Sequence, residues 1–146
     1  RHQPGDADDR GPGSAAAVTG LAMTTFLVPD YDEAIAFFRD ALDFAVEEDT
    51  DLGGGKRWVV VAGASGGKLL LARASNDEQS AAIGHQAGGR VGWFLQSDDF
   101  ATDHRRMAQW GVEFTEAPRE EPYGTVAVFN DPWGNRWDLI EHKDAA

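Results

Sequence analysis

Cysteine is absent from this 146-residue chain, which removes disulfides, thiolate metal sites and cysteine nucleophiles together. Any metal would have to be held by histidine, aspartate or glutamate. Cations are scarce as well: 13 lysines and arginines stand against 25 aspartates and glutamates, for a formal charge of -12. A phosphate backbone and an anionic membrane surface are poor partners for such a chain. No apolar run approaches the length of a membrane span, and the amino terminus lacks the basic-then-apolar order of a secretory signal. The reading is a cytoplasmic protein with neither nucleic acid nor membrane as partner, of a length that buries one core unaided.

Two familiar catalytic signatures are missing too. Gly53-Gly54-Gly55 and Gly66-Gly67-Lys68 have the composition of a phosphate cradle, but both fall between strands, where no helix N-terminus faces the anion. They read as hairpin turns. Ser14, Ser65, Ser75, Ser80 and Ser97 have no strand-to-helix nucleophile elbow around them, so an acyl-transfer triad has no motif to stand on.

What the chain does contain is a repeated pattern. Residues 1–20 are rich in Pro, Gly and Asp and are expected to form a flexible leader. Leu21 to Val28 is a short apolar strand stopped by Pro29-Asp30, and Asp32-Glu33 open a helix. Tyr31, Ala34, Ile35, Phe38 and Leu42 form its apolar stripe. Three β-like runs follow: Phe44 to Glu48, Lys56 to Gly63 and Lys68 to Ala74. Residues 75–89 lose all periodicity and read as a linker.

The second half repeats the order. Val91 to Ser97 is a strand, Asp98-Asp99 open a helix striped by Phe100, His104 and Met107, and runs at Val112 to Glu116, Thr125 to Phe129 and Arg136 to Ile140 complete the trio. The halves superpose in sequence at an offset of about 68 to 69 residues, as an internal duplication should. The predicted fold is α+β: two βαβββ modules, 21–74 and 90–141, in one domain spanning 21–141, with 142–146 as a C-terminal tail. Their mixed sheets would pair into an open cup with helices outside, since neither can bury its sheet alone.

The last hairpin carries the most information. In Asn130-Asp131-Pro132-Trp133-Gly134-Asn135-Arg136-Trp137-Asp138-Leu139-Ile140-Glu141, a Pro and a Gly reverse the chain and an alternating run leaves the turn. Alternation puts Trp137 and Leu139 on one face and Arg136, Asp138 and Ile140 on the other. This hairpin resembles the one that ends members of the vicinal oxygen chelate superfamily, which groups glyoxalases, extradiol dioxygenases and bleomycin-resistance proteins. The resemblance covers roughly Leu21 to Glu141. It implies a cup-shaped fold, a pocket inside the cup, a homodimer, and a metal-binding carboxylate at the position of Asp138.

Metal-binding relatives also place a ligand on the first strand of each half and on the last strand of the first half. Those positions fall here on Met23, on Gly92 or Val91, and on Leu70 or Leu71. A thioether is too soft for the ions such sites hold, and the others offer no side-chain donor. One carboxylate does not make a metal site, so no cofactor is expected and a divalent metal is the alternative. His104 lies on the helix stripe, His142 at the fraying end, and His85 in the linker. Of these, His85 alone could fold over the mouth of the cup.

The same alternation predicts the lining. Met23, Thr25, Leu27, Phe94, Gln96, Val126, Val128, Arg136 and Asp138 should face the cavity, while Phe26, Val28, Trp93, Leu95 and Phe129 face the core. Tyr123 and Arg119 precede the last hairpin and could gate the mouth. Asp138 could pair with Arg136, anchor a backbone amide, ligate a metal or serve as a general base if burial raises its pKa. The leading expectation is a glyoxalase- or bleomycin-resistance-like protein that binds a small, partly apolar molecule without a catalytic metal. The alternatives are a metal-dependent lyase, isomerase or dioxygenase using Asp138, with His85, Gln96 or a partner chain as further donors, and an interaction module without a small ligand.

Overall fold

Pro29 ends the first strand because it has no amide to donate, and Asp30 turns the chain into a helix. In the computed structural model, which describes residue 15 and residues 17–144, Asp30 is extended and its carboxylate accepts from the Glu33 amide at 2.8 Å. That is an N-cap, with Asp32 and Glu33 placed where the helix dipole favours negative charge. Most of the expected leader lies outside the described residues.

The first module runs β1 (Thr24–Val28), α1 (Tyr31–Ala36, closing in one π-helical turn at Phe37–Ala41), β2 (Ala45–Gly53), β3 (Lys56–Gly63) and β4 (Gly66–Arg73). These strands form a sheet in the order β1-β4-β3-β2, with β1 parallel to β4. Gly53, Gly54 and Gly55 all have positive φ, a conformation that only glycine adopts three times running without strain. After α2 (Asp77–Ala82), the second module supplies β5 (Val91–Gln96), α3 (Phe100–Gln109), β6 (Glu113–Phe114), β7 (Arg119–Glu121), β8 (Gly124–Asn130) and β9 (Arg136–His142). Its order is β5-β9-β8-β6, with β5 parallel to β9 and β7 on β8.

The duplication is visible in the registers. Thr25 lies opposite Leu70 in the first sheet as Phe94 lies opposite Asp138 in the second. Each inner core face follows from alternation: Phe26, Val28, Val59, Val61, Leu69 and Leu71 are buried on one sheet, and Ala127, Phe129, Trp137 and Leu139 on the other. Phe26 joins the two, its ring 4.9 Å from that of Trp93 and 5.9 Å from that of Trp137. Aromatic pairs of this kind add about 0.5–1.5 kcal/mol each beyond the area they bury.

Three elements differ from the sequence reading. The strand expected from Val112 to Glu116 is short and its continuation, β7, forms after a break. Pro118 cannot donate to a ladder, and at the break the Glu116 carboxylate takes the place of a strand, accepting from the Val128 amide at 2.9 Å. Residues 119–121, between the expected runs, are therefore strand, and β8 begins at Gly124. The segment 75–89 also holds structure: Asn76 caps α2 by accepting from the Gln79 amide at 2.8 Å. Finally, β5 is bulged between Val91 and Trp93, at Gly92, so the predicted inward position of Gly92 sits on an irregularity rather than in the regular alternation.

Candidate functional site

The face of the second sheet turned away from the helices is built by β5, β8 and β9. Asp138 lies opposite Val128 on one side and Phe94 on the other, and Ile140 lies opposite Val126 and Gln96. Phe94 is 66% exposed although it is a large apolar side chain in a regular strand. Val126 is fully buried outside the main core, and Val128 and Ile140 are half-buried. The surface is thus apolar, with one carboxylate at its centre.

Asp138 is unusual among the acids of this chain. Its Oδ1 is buried and, among the described residues, has no hydrogen-bond partner. Burial pushes its pKa up; the charge of Arg119 pulls it down and that of Glu116 pushes it up, and the result stays above the ordinary carboxylate value. Arg136 is not its counter-ion: among the described residues no ion pair joins them, and Arg136 lies at the turn end of the hairpin, opposite Asn130. The cation that Asp138 feels is Arg119, on β7.

Arg119 is itself committed. Its Nε donates to Glu116 Oε1 at 2.9 Å and another guanidinium nitrogen donates to Glu121. Burial pushes the Glu116 carboxyl up, but hydrogen bonds from Arg119 and the Val128 amide outweigh it and hold it below the usual range. The broken strand β6–β7 therefore delivers a Glu116–Arg119–Glu121 triplet beside the apolar surface. Neither glutamate was among the residues the sequence pointed to, because the break that places them is not periodic.

The remaining predicted lining residues are dispersed. Thr25 and Leu27 lie on the corresponding face of the first sheet, opposite Leu70 and Ala72. Met23 precedes β1 and is half-buried. Gln96 is exposed at the far end of β5 and Tyr123 is half exposed in the β7–β8 turn. His104 stacks on Phe100 and Phe114 at 5.6 and 3.9 Å, a packing role.

A divalent metal does not fit this residue set. Thr25, not Met23, is level with Leu70, and neither Leu70 nor the Gly92 bulge carries a donor. Among the described residues no group of three or more His, Asp or Glu side chains converges as a metal site would need. Nor does any helix among them have the length and apolarity to cross a membrane.

The turn joining β8 to β9 is held by a residue that the sequence reading passed over. Asp131 is 5% exposed. Its Oδ1 accepts from the amides of Trp133, Gly134 and Asn135 at 3.0, 2.9 and 2.9 Å, and its Oδ2 accepts from Asn135 Nδ2 and Trp137 Nε1, both at 2.9 Å. Trp133 then reaches the first module, its Nε1 donating to Glu33 at 2.8 Å and its ring 5.5 Å from Phe37. An Asp before Pro-x-Gly was the available signal, since aspartate caps such turns.

Clefts flank this turn. One of about 350 Å³ lies between the segment 83–90 and the residues Asn130 to Arg136, and one of about 620 Å³ is walled by Phe37, Trp110, Val112 and Trp133. Asp138 lines neither. On the face where the pocket inside the cup is expected, Phe94 stands exposed.

Comparison with known proteins matches residues 20–139 to the model of the Glyoxalase/Bleomycin resistance protein/Dioxygenase superfamily. An uncharacterized protein of Shewanella frigidimarina (strain NCIMB 400) is 53% identical over 127 residues, covering 85% of this chain and 94% of that one. Among solved structures, UcmS2 superposes with a TM-score of 0.71 at 28% identity, covering 84% of this chain and 98% of its own. TnmS3, an antibiotic binding protein from Streptomyces sp. CB03234, superposes with a TM-score of 0.62 at 26% identity, covering 86% and 99%.

Proposed function

Because the chain belongs to the Glyoxalase/Bleomycin resistance protein/Dioxygenase superfamily, we propose that it binds a small, partly apolar molecule on the Asp138 face and does so without a catalytic metal. The observation that carries this reading is the unpartnered, half-buried carboxylate of Asp138 set among Phe94, Val126, Val128 and Ile140. A buried acceptor without a donor is costly in the free protein, by about 1–3 kcal/mol, and a ligand that brings a hydroxyl or amino hydrogen relieves that cost. The apolar neighbours supply area and the carboxylate supplies orientation, the usual division in small-molecule sites. Similarity to an antibiotic binding protein supports the same class of ligand.

A second copy of the chain is part of this proposal. Phe94 and Trp58 are exposed on strand faces of the two sheets, and an open surface becomes a pocket when another sheet covers it. The predicted assembly is a homodimer, read by light scattering at micromolar concentration.

The metal question is settled by elemental analysis of protein purified without a metal-affinity step. The proposal expects less than a tenth of an equivalent of divalent metal per chain. One equivalent that survives dialysis and disappears in Asp138→Ala would replace the binder with a metal-dependent lyase, isomerase or dioxygenase.

A further inference from the structure

The cleft between segment 83–90 and the β8–β9 turn has a charge that the rest of the chain does not lead one to expect. In a protein with nearly two acids for every base, none of the described residues that line it is Asp or Glu, and two are arginines, Arg90 and Arg136. Arg39, Arg57, Arg106 and Arg119 each hold a carboxylate within 4 Å. Among the described residues, Arg90 and Arg136 hold none, as is also true of Arg73 and Arg105, but Arg90 and Arg136 line one cleft. They come from different places in the chain, one immediately before β5 and one at the first position of β9, and both line one opening.

The opening is fixed on both sides. A Cβ on Gly84 would stand 2.0 Å from the Trp133 carbonyl oxygen, and one on Gly92 would stand 2.8 Å from Ala87 Cβ. The linker is therefore seated against the turn and the β5 bulge, with no room for a side chain between. Gln86 fastens it further, its backbone amide donating to Asn135 Oδ1 at 3.3 Å. Trp133, Ile83 and Ala87 supply apolar wall between the polar groups.

We propose that this cleft binds a small organic carboxylate, with the guanidinium groups of Arg90 and Arg136 clasping the carboxylate and the ring or chain of the ligand lying against Trp133. Guanidinium and carboxylate are geometrically matched donors and acceptors, and the pair is strongest where no protein acid competes. About 350 Å³ holds a single-ring acid and leaves inorganic phosphate, which has no apolar part, without contact to most of the wall. The site is separate from the Asp138 face, although Arg136 borders both, so its occupancy does not require the binding reading above.

The test is titration of the full chain with benzoate, benzamide and inorganic phosphate at low ionic strength, followed by backbone amide shifts, in the parent and in Arg90→Gln, Arg136→Gln and Arg105→Gln. The inference expects saturable benzoate binding with shifts at residues 83–90 and 130–136, at least tenfold tighter than benzamide or phosphate. It expects about a tenfold loss in either cleft variant, and no change in Arg105→Gln, whose side chain is on exposed α3 surface. Benzamide or phosphate binding as well as benzoate, equal loss in all three variants, or no saturable benzoate binding would each overturn it. Shifts centred on Phe94 and Asp138 instead would overturn it while supporting the ligand face proposed above.

Discussion

The side-chain amide of Gln86 pairs with both backbone groups of Leu27: its Oε1 accepts from the Leu27 amide at 2.8 Å and its Nε2 donates to the Leu27 carbonyl at 2.9 Å. One glutamine thus does the work of a neighbouring strand at the edge of β1 that β4 leaves free. Gln86→Ala removes both bonds and is expected to cost about 1–3 kcal/mol, or roughly 2–4 °C of Tm per kcal/mol in a domain of this size. Gln86→Glu keeps the acceptor and sets a carboxylate against the Leu27 carbonyl, so it should recover none of the second bond. Hydrogen exchange at the Leu27 amide checks the assignment, and unchanged protection in Gln86→Ala would refute it.

Asp131 should be among the most sensitive positions in the chain. Asp131→Asn keeps the shape but turns one acceptor into a donor that faces either three backbone amides or the Asn135 and Trp137 side-chain donors. Hydrogen bonds to a charged group are worth about 1.5–3 kcal/mol each, so a loss of at least about 3 kcal/mol is expected in urea unfolding. A loss below about 1 kcal/mol would mean the turn holds itself.

Asp138 predicts a pH dependence of definite sign. Its folded pKa is raised, by burial first and then by Glu116 against the pull of Arg119, so the folded protein binds that proton more tightly than the unfolded chain. Stability linked to this group is intact below the ordinary carboxylate pKa and is lost as pH rises through the raised value. Asp138→Asn imitates the protonated form. It should match the parent in acid and exceed it in Tm at neutral pH; a gain that is the same at pH 3 and pH 7 would show that ionisation is not the cause.

How these features relate to the sequence differs from one to the next. Phe26, Trp137 and Leu139 were readable as core, and Phe94, Val128 and Asp138 as the opposite face, because period-two alternation is a local property of each strand. The doubled module was readable because the same local patterns recur in both halves. Gln86 was not, since it acts on a backbone 59 residues away and sits in a stretch without periodicity. The α2 helix left a trace, Asn76 followed three residues later by Gln79, which is a capping signature. Glu116 left none, and Arg119 was readable only as a gate at the mouth, because a strand break at Pro118 decides where they point.

The most direct test of the central claim is a titration of chelator-treated protein with 2-naphthol, a bicyclic probe carrying one hydroxyl donor, followed by backbone amide shifts. Metal-independent binding on the Asp138 face predicts saturable shifts at Phe94, Val128 and Asp138, identical with and without added divalent ion and at least tenfold weaker in Asp138→Ala. Binding that appears only when a divalent metal is restored, or shifts that leave those residues untouched, would contradict it.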